Sequence, residues 1–190
     1  MAAGDVTLTV GTQLIFADHG ADFAGGAAKT SLEVAGTDVQ IDLTSVANTA
    51  ARESAKVDLG ANRAEFYSVM ASMEFAATPT TGAVVQLYWA PSPISAAANG
   101  NPQNIDGVDA AAPSGIGTLA ELVAVCQFIG SFICTNDATG AVQTGHINNF
   151  SPAERYGILI VKNESGAAFH SDMVETHIVF NPILRNVAQS

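Results

Sequence analysis

Two apolar runs in the last third of the chain narrow its fold more than any other feature. Arg155-Tyr156-Gly157-Ile158-Leu159-Ile160-Val161-Lys162-Asn163 is followed by the turn-forming Glu164-Ser165-Gly166. Met173-Val174-Glu175-Thr176-His177-Ile178-Val179-Phe180 comes next, closed by Asn181-Pro182. Both runs are rich in β-branched and aromatic residues and bounded by turn formers, which predicts two adjacent β-strands. Neither contains or borders a cluster of reactive side chains. A chain built mainly of such strands is expected to be a scaffold.

The remaining sequence repeats that pattern in shorter pieces. Val6-Thr7-Leu8-Thr9-Val10 alternates at period 2, and Leu14-Ile15-Phe16 extends it beyond Gly11. Residues 1–28 thus read as an N-terminal arm and entry strand, and 29–190 as one β-sandwich domain. Ser31 to Val34 and Val39 to Leu43 are expected to form a hairpin turning at Gly36-Thr37-Asp38. Asn48 to Ala55 is polar and reads as a connection, followed by a short strand at Lys56 to Gly60. Glu65 to Phe75 is the longest strand candidate, with Tyr67, Val69, Ala71, Met73 and Phe75 on one face. Helix is its rival, because Met, Ala and Glu are good helix formers, but the period-2 face is cleaner. Thr78 to Gly82 then reads as a hairpin turn into Val84 to Trp89, which Ala90-Pro91-Ser92-Pro93 stops.

From there to about Gly117 the chain is rich in Pro, Gly, Asn and Ala. Loops beyond about 12–15 residues are usually functional or disordered, so this one is expected to project as a contact surface. Trp89, Pro91, Pro93, Asn101, Pro102, Asp106 and Asp109 are its candidate interaction residues. Leu119 to Val125 predicts a short helical turn, followed by strands near Cys126 to Cys134 and Val142 to Phe150. Many short strands without crossover helices predict an all-β fold. The expected architecture is an antiparallel β-sandwich, jelly-roll-like, with long loops and an N-terminal arm.

At 190 residues the chain suits one domain, burying roughly 70% of its extended surface. Hydrophobic residues make up 48% and charged residues 13%, where about 25% charged is usual. A surface so poor in charge costs little to bury against neighbours, which favours assembly. The net charge of -11, with seven Lys and Arg in all, argues against nucleic acid and anionic membranes. It favours an electropositive partner. The start of the chain lacks a basic, apolar signal pattern, and no apolar run reaches the roughly 20 residues of a membrane helix. Folding in a reducing cytoplasm is expected.

Motifs for chemistry are weak. Cys126 and Cys134, on one extended segment, would stand roughly 26 Å apart, far beyond the reach of about 7 Å that a disulfide allows. Buried free thiols are the expectation. His177 with Glu175 is the best metal pair, and solvent-facing alternation explains it equally well. Asp106-Gly107-Val108-Asp109 resembles a fragment of a cation loop without the ligand ladder of an EF-hand. No G-x-S-x-G is present, and Gly25-Gly26 and Gly115-x-Gly117 lack the lysine and helix of a phosphate cradle. Tyr88-Trp89 offers a sugar-stacking platform, or else Trp89 packs in the core with its N–H on a backbone partner. No catalytic residue, cofactor or metal is expected.

Several segments together resemble small structural proteins of tailed bacteriophages. They are Leu87-Tyr88-Trp89-Ala90-Pro91-Ser92, the Gly100-Asn101-Pro102 loop, Cys126-Gln127-Phe128-Ile129-Gly130-Ser131, and Phe150-Ser151-Pro152 leading into Arg155-Tyr156-Gly157. Asn163 to Ala168 fits as well, and the resemblance spans roughly residues 60–183. It implies a non-enzymatic virion component of the capsid decoration (cement) type. Such a protein would bind the major capsid protein and copies of itself as a homo-oligomer, after assembly in the host cytoplasm. A tail or fibre component, or a carbohydrate-binding module, is the alternative. Residues 1–16 would then serve as an arm adding a strand to a neighbour's sheet edge.

Overall fold

The computed structural model describes residues 11–23, 31–61 and 63–183. Two sheets pack face to face. The first has the order β2 (Gly36–Gln40), β1 (Gln13–Ala17), β11 (His177–Ile183), β5 (Phe66–Met73), β9 (Gln143–Phe150). The second has the order β7 (Ala110–Ala111), β3 (Ala51–Glu53), β10 (Tyr156–Glu164), β6 (Val84–Ser92), β8 (Gln127–Ile133), with β4 (Val57–Asp58) also on β10. A single α-helix among the described residues, α1 (Leu119–Val125), precedes β8. The protein is an all-β sandwich, with antiparallel pairing throughout except β1 against β2.

The core follows from period 2. Tyr67, Val69, Ala71 and Met73 of β5 face inward, as do Val85, Leu87 and Trp89 of β6 and Leu159 and Val161 of β10. An aromatic cluster of Phe16, Tyr67, Trp89, Phe150 and Phe180 fills the centre, with ring centroids 4.9–6.2 Å apart. Burying each such side chain contributes about 1.5–3 kcal/mol, which holds this stretch extended against its helical propensity.

The two C-terminal runs are strands, but they do not pair with each other. β10 sits in the middle of the second sheet and β11 in the middle of the first, so the two face across the core. The same holds for β5 and β6, and for β8 and β9. Residues 78–82, read as a hairpin turn, arch from β5 in one sheet to β6 in the other, and such arches give the jelly-roll-like wiring. Residues 173–176 are connection, and the strand begins at His177.

Other boundaries moved for identifiable reasons. Gly36-Thr37-Asp38 is not a turn; it lies in β2, parallel to β1. A Cβ at Gly36 would meet the Gln13 carbonyl oxygen at 2.5 Å, so glycine serves close strand approach there. Polar Ala51-Arg52-Glu53 is a strand because β10 offers it an edge. Pro91 lies inside β6, and Pro182 inside β11. Each falls beyond the pairing on one side, β8 ending at Trp89 and β1 at Phe180, so each missing N–H is tolerated as at an edge. The entry strand read at Leu14 to Phe16 is β1, which lies between β2 and β11. Residues 13–16 therefore belong to the sheet and not to an arm, while residues 1–10 lie outside the described residues.

Candidate functional site

The long loop after β6 folds back on the second sheet instead of projecting. Lys56 Nζ donates to Ser92 Oγ (3.0 Å) and to the carbonyls of Ile94 (3.1 Å), Ala96 (2.7 Å) and Asn99 (2.8 Å). The ammonium thus gathers the loop around four oxygens, and burial lowers its pKa. Asn101 Nδ2 donates to the carbonyls of Ala97 (2.7 Å) and Ile105 (2.6 Å), and the loop's far side pairs with β3 as β7.

Asp109 is the second anchor. Its carboxylate accepts from Arg52 Nε (2.7 Å), from the Asp42 amide (3.0 Å) and from Gln40 Nε2 (3.3 Å). Asp106 caps the Val108 amide through Oδ1 (3.1 Å) in an ordinary Asx turn. The Asp109 carboxylate is therefore taken up by protein groups, and Asp106 Oδ1 by the turn.

Loop and helix together form a cap over one end of the second sheet's outer face. Ile105 and Leu122 pack there on Ala51, Ala90, Ile158 and Ile160. Helix α1 is seated by a capping box: Thr118 N–H donates to Glu121 Oε2 (2.7 Å) and Glu121 N–H to Thr118 Oγ1 (3.3 Å). Beneath the cap lies Glu53, fully buried.

From the end of α1 along β8 the same face is open and apolar. Val125, Phe128 and Ile133 are 53%, 53% and 68% exposed, although all three are large and hydrophobic. Phe128 leans on Tyr88 of β6, ring centroids 5.3 Å apart, which fixes its direction. Around the corner, the end of β8 and the start of β9 flank a groove of about 430 Å³ lined by Ile133, Thr135, Val142, Gln143, His146 and Ile147. Phe128 and Ile133 stand on β8, and Val125 ends α1 beside them, so the surface presents apolar contacts carried by regular elements.

The candidate contact residues scatter. Trp89 is fully buried in the core, so it offers no sugar-stacking platform. Its Nε1 has no hydrogen-bond partner among the described residues, contrary to the expected backbone partner. Asn101 is buried, Pro91, Pro102, Asp106 and Asp109 are half-buried, and Pro93 is exposed. What sequence reasoning missed is the row Val125, Phe128 and Ile133. Simple alternation would put Phe128 with Phe132 and Ile129 with Ile133. The irregularity between Phe128 and Gly130 is what turns Phe128 and Ile133 outward and Ile129 and Phe132 to the core, and the sequence does not announce it.

His177 does not meet the Glu175 carboxylate. Its Nδ1–H donates to the Glu175 carbonyl (2.9 Å), and its Nε2 accepts from Leu32 N–H (2.8 Å). Among the described residues no three His, Cys, Asp or Glu gather to hold a metal. Both thiols are free, and burial pushes Cys126 up to about 12 and Cys134 to about 11. No described helix is long and apolar enough to cross a membrane.

Compared with known proteins, the chain matches no family model and no curated protein.

Proposed function

We propose that this protein is a non-enzymatic virion component, of the decoration (cement) type, that adheres to a capsid shell and to copies of itself. The observation that carries this reading is the exposed group of Phe128 and Ile133 on β8 with Val125 at the adjoining end of α1. Large apolar side chains kept in water by a stiff strand have a use when a partner covers them. The second support is the scarcity of charge, 13% of residues, which lowers the desolvation cost of a broad contact. The excess of acid over base steers the molecule toward a positively charged partner surface.

Cosedimentation with purified capsids lacking the protein tests the reading. Wild-type chain is expected to pellet with the shells, and Phe128→Ser with Ile133→Ser to remain in the supernatant. Equal pelleting of the two, or no pelleting of either, counts against it.

A further inference from the structure

Glu53 on β3 stands opposite Ile160 on β10 and Ala110 on β7, and its side chain is fully buried. Neither carboxyl oxygen makes a hydrogen bond of good geometry among the described residues, and the donors that bear on it are the hydroxyl and amide of Ser114. Among the described residues, no element packed on it aims a compensating charge at the carboxyl. β10 and β7 offer Ile160 and Ala110, and the end of the helix offers the uncharged thiol of Cys126. The loop brings Asp106, a like charge, and Ser114, an uncharged donor whose hydroxyl accepts the Asp106 N–H at 3.0 Å and keeps its own O–H for the carboxyl. Arg52, next along β3, turns its guanidinium to Asp109 (2.7 Å) and Asp42 (3.7 Å). An ionised Glu53 would therefore be a buried charge with no ion-pair partner, a condition proteins relieve by staying neutral or admitting water.

Water has one short route to it. The core side of the sheet is closed by the sandwich, whereas the outer side is closed by the cap alone: the two-residue β7, the loop around Ser114, and α1. We propose that Glu53 is a proton-operated latch: protonated, it lets the cap seat on the sheet, and ionised, it lifts the cap and bares Ala51, Ala90, Ile158 and Ile160. Lifting would extend the open apolar end beside Tyr88 and Phe128 across the whole outer face. Burial, with Asp106 adding to it, pushes the carboxyl up to about 7, against a smaller downward pull from Ser114 and Arg52, so the latch works around neutrality. This inference stands on the cap's own geometry and holds whatever surface the protein binds.

Hydrogen exchange of the full chain tests it, with wild type and Glu53→Gln compared at the same pH so that the intrinsic chemistry cancels. At about pH 5.5 the two should exchange alike; at about pH 8.5 amides 105–126 of wild type should exchange at least ~10-fold faster, since each pH unit above the pKa is worth a factor of ten. Amides of β5 and β11 should keep a pH-independent ratio. A flat ratio in the cap, or an equal rise everywhere, overturns the latch. Should Glu53→Gln fail to fold, a carboxyl titration of the wild type by carbon NMR decides. Ionisation of Glu53 near neutrality together with cap shifts supports the latch, and ionisation in the ordinary carboxylate range overturns it.

Discussion

A Cβ on Gly157 would lie 2.2 Å from Cε2 of Trp89 and 2.3 Å from Cζ2, so the indole occupies the space that any side chain at 157 requires. Gly157 on β10 pairs with Pro91, two residues along β6 from Trp89, whose indole lies in the aromatic cluster. Gly157→Ala is expected to destabilise the fold by about 1–3 kcal/mol, measured by urea unfolding, because the core is overpacked rather than emptied. In combination with Trp89→Phe the loss should be less than the sum of the single losses. Strict additivity would mean that the two do not share the space.

Lys56→Met removes the ammonium from four oxygen acceptors while keeping most of the side chain's bulk. The expected cost is about 1–3 kcal/mol, the range for hydrogen bonds to a charged group. Amide exchange should locate it: residues 94–99 lose protection, and β5 and β11 do not. Unchanged protection at 94–99 would show that the loop needs no tether.

His177 gives a pH dependence whose sign follows from its bonds. The buried ring is neutral, and protonating Nε2 would remove the acceptor of Leu32 N–H. Burial lowers its pKa below the ordinary 6.5, with His19 adding to this and the Glu175 carbonyl opposing it. Below 6.5 the unfolded chain takes a proton that the folded chain refuses, so stability is full above that value and falls as the pH drops. The slope approaches about 1.4 kcal/mol per pH unit. His177→Gln should flatten this limb in denaturation curves between about pH 6.5 and 5. An unchanged slope would assign the limb to other groups.

Phe128→Ser with Ile133→Ser tests whether the exposed row belongs to the fold or to a contact. Both side chains are more than half exposed, so unfolding stability should change by no more than about 1 kcal/mol. Self-association in sedimentation velocity should weaken. A large loss of stability with unchanged association would make the row structural.

The strands were legible where one face repeats. Tyr67, Val69, Ala71 and Met73 show period 2 in the sequence and line the core in the structure. Partners were not legible, because a turn such as 78–82 looks the same whether it joins neighbouring strands or arches between sheets. Gly36 was misread because glycine marks turns and close strand approach alike. Ala51 to Glu53 has no strand signature of its own and takes its form from β10. The loop's fixed shape rests on Lys56, which holds its carbonyls, and on the Arg52–Asp109 pair, contacts that span dozens of residues and leave no local trace. Glu53 is ordinary as a letter, and only register and cap make it unusual.

The central claim is adhesion by a rigid sheet to a particle surface. Electron microscopy of purified virions, with this chain traced in the density, tests it most directly. The account predicts copies seated on the shell with Val125, Phe128 and Ile133 covered by a neighbour. The chain free in infected cells and missing from purified particles would contradict it.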